Sequence, residues 1–263
     1  MLVNVALVQH QAGRDVDLDL SLHLLRKRPD FVCFPEYWGA GPELESQSSL
    51  LAAWPRLDAQ MQRLSRLLSC VVIGGSRLAV SGGDLFNAAP VFDSGRKVGE
   101  YAKVHPTDNE RRRGVKAGPG PVSYRLGGVN VGVAICADSL APGYFQRYAA
   151  DGVDLLFVPN ASPLRSGEPV EDKFARDQSI FVQGAREAGA YVLKVCSVGR
   201  IFGGALQGRT LVAAPWGVLH RVEPEAEDQP QVLAVTLSLL ELREFRQRLP
   251  PAQRTSGPID PSG

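Results

Sequence analysis

The 263-residue sequence is short of several things, and each shortage narrows what the protein can be. It carries four cysteines, Cys33, Cys70, Cys136 and Cys196, with no CxxC pair, so neither a zinc site nor a disulfide framework is suggested. Three of them sit in apolar runs, FVCFP, SCVVIGG and YVLKVCSVG, where a free thiol behaves as a small buried hydrophobe in a reducing compartment. Charge of one sign is also lacking. Against 28 Asp and Glu stand 29 Lys and Arg, and a net charge of +1 gives no field for holding nucleic acid or an anionic membrane. No run approaches the roughly 18 to 20 apolar residues of a membrane span, and the opening MLVNVALVQHQAGRD has neither the basic start nor the cleavage pattern of a signal peptide. A soluble, cytoplasmic protein is expected. The four histidines, at 10, 23, 105 and 220, show no ligand spacing, and neither a metal nor another cofactor is called for.

What the sequence does contain is an alternation of short Val, Leu and Ile runs with helical periodicity, the pattern of an α/β fold. LVNVALV at 2 to 8, FVCF at 31 to 34 and CVVIGG from 70 read as buried strands. Leu18, Leu22 and Leu25 form an i, i+4, i+7 stripe on the intervening helix, and Pro55 is placed to open a helix carrying Leu57, Met61, Leu64 and Leu68 on one face. From Ser76 to Tyr101, turn signals SGGD and DSGRK separate strands that read as antiparallel hairpins. A further hairpin ends at Cys136. Helices are expected at Pro142 to Asp151, Val170 to Ala188 and Leu239 to Arg248, with strands DLLFVP, YVLKVCSV, RTLVAA, VLHRV and QVLAVTL between and around them. Nothing marks an internal linker or repeat, so one domain over 1–249 is expected, followed by a Pro- and Gly-rich tail at 250–263.

Three segments set ionisable residues at the ends of strands, where α/β proteins build their sites. In FVCFPEYWG, Glu36 follows a buried strand and a proline. GEYAKVHPTDNERRRGVKAGPGP is a long loop holding Lys103, His105, Asp108 and Glu110. In VNVGVAICADSLAPGYF, Cys136 stands at a strand-to-helix transition, where the free N–H of Ala137 offers an oxyanion site. Alone, each has a plainer reading: a solvated loop glutamate, a charged surface loop, a core cysteine.

Taken together, Glu36 in FPEYW, Lys103 in YAKVHPTDNE and Cys136 in GVAICADS resemble the Glu-Lys-Cys triad of the nitrilase, or carbon-nitrogen hydrolase, superfamily. The resemblance runs on through GVDLLFVPNASP, AREAGAYVLKVCSVG, GRTLVAAPWGVL and VLAVTLSLLELREFR. It implies a four-layer α-β-β-α sandwich, usually dimerised through outer helices, here those near Pro142 to Asp151 and Val170 to Ala188, so a homodimer or higher homo-oligomer is expected. It also implies roles. Cys136 is the nucleophile, Glu36 the base, Lys103 with the Ala137 N–H the oxyanion donors, and Glu110 the second glutamate that positions the lysine or assists proton transfer. His105 reads as structural.

The residues after Cys136 suggest the branch. No Arg follows Asp138, against carbamoyl-amino-acid hydrolases that use Arg there, and the Trp-Glu of many true nitrilases is missing. VPNASPLRSGE is similar to amidases and to the glutaminase domains of amidotransferases. The expected activity is therefore hydrolysis of a small linear amide through a thioester. A nitrilase, an N-carbamoyl amine hydrolase and a non-catalytic binding protein on the same fold are the alternatives. Tyr37, Trp38, Ser139 and Asn160 are the candidate pocket-lining, substrate-binding residues.

Overall fold

The computed structural model describes residues 1–41 and 46–248; the expected tail lies outside them. The first half of the chain lays down β1 (Leu2–Gln11), β2 (Phe31–Cys33), β3 (Val71–Ile73), β4 (Arg77–Ser81), β5 (Asp84–Asp93) and β6 (Arg96–Ala102), with helices α1 (Leu18–Lys27) and α2 (Gln47–Leu68) between the first three strands. A short helix α3 (Asp108–Arg112) follows. The second half supplies β7 (Ser123–Leu126), β8 (Val129–Val133) and β9 (Leu155–Asn160), with α4 (Gln146–Ala149) between the last two. Then come α5 (Val170–Asp177), α6 (Gln183–Ala188), β10 (Tyr191–Ile201), β11 (Gly204–Leu206), β12 (Leu211–Ala214), β13 (Gly217–Arg221), β14 (Gln231–Ser238) and α7 (Leu239–Arg248).

The strands run in the order β4-β5-β3-β2-β1-β10-β9-β8-β7, so one curled sheet folds into two facing halves that join at β1 and β10. β1, β2 and β3 are parallel, as are β8, β9 and β10, while β14 lies antiparallel along nearly all of β1. Alternation explains the packing. On β1, Val3, Val5 and Leu7 face inward to meet Val131, Val133, Leu155, Phe157 and Leu193 of the other half, whereas Ala6 and Val8 face outward beneath α1 and α2. The outer face of the second half, Leu156, Val158 and Val192, is covered by Phe181, Val182 and Ala185 from the α5–α6 segment. Three apolar layers between four structural ones make the α-β-β-α sandwich.

Several local expectations are corrected. Leu18, Leu22 and Leu25 are 69%, 38% and 42% exposed, and it is Leu24, with Leu20 beside it, that packs inward. Pro55 does not open α2: Ser46 caps that helix, its side chain accepting from the Ser49 N–H, and Pro55 lies within, where its missing N–H leaves the Leu51 carbonyl without its usual donor. The helix expected at Pro142 to Asp151 shrinks to Gln146–Ala149. The Val170 to Ala188 helix is continuous but carries a π-turn at Gln178–Val182. Among the described residues no helix is long and apolar enough to cross a membrane.

Candidate active site

Four strand ends meet at one point. Glu36 lies just beyond β2, Lys103 immediately after β6, Cys136 just beyond β8, and Ala161 immediately after β9. Two of the corners have left-handed backbone that non-glycine residues seldom adopt, φ +44° at Cys136 and +52° at Tyr37, so both are held by their surroundings. Around Glu36, the Tyr37 N–H donates to the Ser76 carbonyl and the Ser76 N–H to the Pro35 carbonyl. Gly75 between them has φ +69°, and a Cβ there would stand 2.2 Å from the Pro35 oxygen. Only glycine fits.

The Cys136 corner is tied down by Asp138, which is fully buried. Its Oδ2 accepts from the Ile135 N–H (2.9 Å) and the Tyr101 hydroxyl (2.6 Å), and its Oδ1 from the His105 N–H (2.7 Å). The His105 ring Nδ1 lies 3.0 Å from the same oxygen, so His105 braces the Lys103 segment against the cysteine turn. The Ser139 hydroxyl closes that turn by donating to the Cys136 carbonyl (2.6 Å). Ala137, partly exposed, is the second residue of the short 3-10 turn Cys136–Leu140.

Lys103 is 1% exposed, and its Nζ donates to Glu36 Oε1 and Glu110 Oε2, both at 2.8 Å. The two carboxylates are not equivalent. Glu110 accepts at Oε1 from the Tyr37 hydroxyl (2.9 Å) and Asn87 Nδ2 (2.7 Å), and at Oε2 from Lys103, the Thr107 N–H (2.8 Å) and the Thr107 hydroxyl (3.0 Å). Its lone pairs are used up. Glu36 accepts at Oε1 from Lys103 and from Asn87 Nδ2 (2.9 Å), but at Oε2 only from the Ala161 N–H (3.0 Å), and the Cys136 thiol is in hydrogen-bonding reach of this carboxylate. Of the two, only Glu36 keeps an oxygen with a lone pair free.

The electrostatics agree. Burial raises the Glu36 carboxyl above its ordinary value, with Glu110 adding to the rise and Lys103 opposing it. Burial presses Glu110 the same way, but the Lys103 charge and the surrounding donors outweigh it and hold the carboxyl low. Lys103 resists its own burial because Glu36, the thiol and Glu110 surround it, and it stays charged. The Cys136 thiol is pushed up by burial and by the Glu36 charge. At rest it is a thiol, beside the one carboxylate of the pair whose own proton affinity is raised.

The structure thus brings together Glu36, Lys103, Glu110 and Cys136, with Ala137 and Ser139 in the cysteine turn. Two aromatics differ from expectation. Trp38 does not line a pocket: its ring is buried against Phe34 and its Nε1 donates to the Gly74 carbonyl (2.8 Å). Tyr37 is equally buried and serves Glu110. Asn160 is buried too, its amide donating to the Val158 carbonyl (2.8 Å), so it shapes the end of β9 before Ala161. Asn87, Thr107 and the Ala161 N–H are additions. Thr107 had a sequence signal, since T-x-x-E is a capping box, and here Thr107 and Glu110 bond reciprocally at the start of α3. Among the described residues no three His, Cys, Asp or Glu side chains group to hold a metal ion.

The facing sheet halves thus bring a thiol, a buried lysine and two carboxylates together at their strand ends. A family model for carbon-nitrogen hydrolases matches residues 7–247, and the chain belongs to that family. A glutamine-dependent NAD(+) synthetase of Rhodobacter capsulatus is 29% identical over 85% of the chain, which spans only 38% of that protein. A deaminated glutathione amidase of Synechocystis sp. is 25% identical over 90% of the chain and 88% of its own length. The fold matches that of an amidase from Nesterenkonia sp. AN1, solved with acrylamide added to its active-site cysteine, at a TM-score of 0.73 and 22% identity over 93% of this chain and 97% of that one.

Proposed function

We propose that the protein is a cysteine-dependent amidase that hydrolyses a small linear amide through a thioester. One observation carries the reading: of the two carboxylates only Glu36 keeps an oxygen with a free lone pair, and this carboxylate interacts with the Cys136 thiol while Lys103 holds its other oxygen. Cys136 Sγ bonds to the amide carbon as its proton passes to Glu36. The oxyanion that forms is held by Lys103 and the Ala137 N–H, a type of donor worth about 3 to 4 kcal/mol each in comparable sites. The C–N bond then breaks, Glu36 returns its proton to the departing amine or ammonia, and the acyl group remains on sulfur. Water attacks the thioester, yields a proton to Glu36, and releases the acid as the thiol re-forms. Glu110, saturated with donors, keeps Lys103 charged and in place.

The similarity to the deaminated glutathione amidase, which runs along most of both chains, supports amide over nitrile as substrate. The test is ammonia release from aliphatic and ω-amides by wild type and Cys136→Ala. Turnover by wild type alone is the expected result. No turnover of any amide, or equal turnover by both, refutes the proposal; activity confined to nitriles, or carbon dioxide accompanying ammonia from carbamoyl compounds, would transfer the site to those reactions. An electrophilic amide analogue should label Cys136 and spare Cys33, Cys70 and Cys196, which are buried. Labelling of none would favour a binding protein.

A further inference from the structure

We infer that Asn87 is a positioning residue of this site: its amide fixes Oε2 of Glu36 as the oxygen that takes the thiol proton. The inference rests on the amidase reading only for its turnover assay. Asn87 lies on β5 on the same side of the strand as Ala89 and Val91, a face otherwise given to the apolar core, and it is fully buried. Its Nδ2 sends one hydrogen to Glu36 Oε1 (2.9 Å) and the other to Glu110 Oε1 (2.7 Å). The backbone holds it there, because the Lys103 N–H donates to the Asn87 carbonyl (2.8 Å) and so keeps asparagine and lysine side by side on neighbouring chains.

Three details turn this contact into a function. The amide orientation is dictated by its partners, since the reverse would aim Oδ1 at two carboxylate oxygens. The protein accepts a buried Oδ1 without a hydrogen-bond partner to keep the amide that way round. With Asn87 and Lys103 both on Oε1, that oxygen has no lone pair left, whereas Oε2 retains one beside its bond from Ala161. Among the described residues Asn87 is also the one uncharged group hydrogen-bonded to both carboxylates. It favours the ionised form of each, and so offsets part of the rise that burial, and after it the Glu110 charge, impose on Glu36.

The experiment follows the thiol directly. Wild type, Asn87→Ser and Asn87→Asp are treated with iodoacetamide from pH 5 to 9, and modification of Cys136 is timed by peptide mass spectrometry, alongside the pH profile of kcat/KM on any amide that wild type turns over. Donors to a carboxylate lower its pKa, so removing them in Asn87→Ser should move the acid limb of both profiles up by about one pH unit. At pH 6 both rates should fall about tenfold, with KM changed less than threefold. Asn87→Asp, which adds a third carboxyl, should shift the limb further. A folded Asn87→Ser with an unmoved acid limb overturns the inference, whether its rates are normal or uniformly reduced. If Asn87→Asp does not fold, Asn87→Ser decides alone. A wild type that alkylates with the expected profile but hydrolyses no amide would refute the amidase reading and leave this one standing.

Discussion

Replacing Lys103 by methionine tests the electrostatic account of the site most directly. Methionine keeps an unbranched stem of similar length, so the main loss is the ammonium that lies 2.8 Å from an oxygen of each carboxylate. Lys103, Glu36 and Glu110 are all buried, so water cannot take the place of the charge. Breaking a buried ion pair by removing one partner costs about 3 to 5 kcal/mol, and here two acids are left facing each other across the Asn87 amide. At about 2 to 4 °C per kcal/mol for a chain of this size, the melting temperature at pH 7.5 should fall by roughly 6 to 20 °C. The pH dependence gives the sharper check. Without Lys103 both carboxyls have folded-state pKa values above the unfolded value of about 4.3. An acid raised in this way destabilises the fold fully above its folded pKa, and the penalty fades as pH falls from that value to the unfolded one. The gap between wild type and Lys103→Met should therefore narrow on acidification, by up to about 1.4 kcal/mol per pH unit while one carboxyl titrates. Denaturant melts of both proteins at half-unit steps from pH 7.5 to 5 measure it. A gap under about 1 kcal/mol at pH 7.5, or one that stays constant or widens towards pH 5, would refute the reasoning.

Two further predictions concern the scaffold. Asp138→Asn removes the charge that accepts from Ile135, Tyr101 and His105, so it should cost about 2 to 4 kcal/mol in denaturant melts and slow alkylation of Cys136; unchanged stability would mean the corner is held by other contacts. On α1, Leu24→Ala should cost about 2 to 5 kcal/mol, whereas Leu22→Lys should stay within about 0.5 kcal/mol, and the opposite ranking would show that the helix packs through its other face.

Much of this was readable before any coordinates. Glu36, Lys103 and Cys136 each stand where a strand ends, and strand ends are where the chain can aim a side chain between the sheet halves. Helix faces were less legible for a specific reason. Residues 18 to 25 contain five leucines, so Leu18, Leu22 and Leu25 make one periodic stripe and Leu20 with Leu24 another; only the sheet beneath α1 decides between them. Trp38 misled through its company. An aromatic two residues after a functional glutamate suggests a pocket wall, but the corner at Tyr37, with its left-handed backbone, carries Trp38 into the outer core. Asn87 had a faint signal, a lone amide at a position whose strand neighbours Ala89 and Val91 are apolar. A buried amide implies a partner, but the sequence does not say which. The Ala161 N–H could not have been foreseen, since a backbone donor leaves no mark on residue type.

The order in which the site residues occur along the chain has a consequence for how activity arises during folding. Glu36, Asn87, Lys103 and Glu110 all lie within residues 2 to 112, in the first sheet half and its edge, a half completed only when β14 pairs with β1. Cys136 and Ala161 come with the second half. Until the two faces dock, the thiol has no base and Glu36 lacks its third donor. A partly folded chain therefore carries an ordinary, exposed cysteine, and the burial that pushes the Cys136 thiol up is imposed only when the apolar layer between the halves has closed. The pH dependence of its alkylation therefore reports whether the whole sandwich has formed.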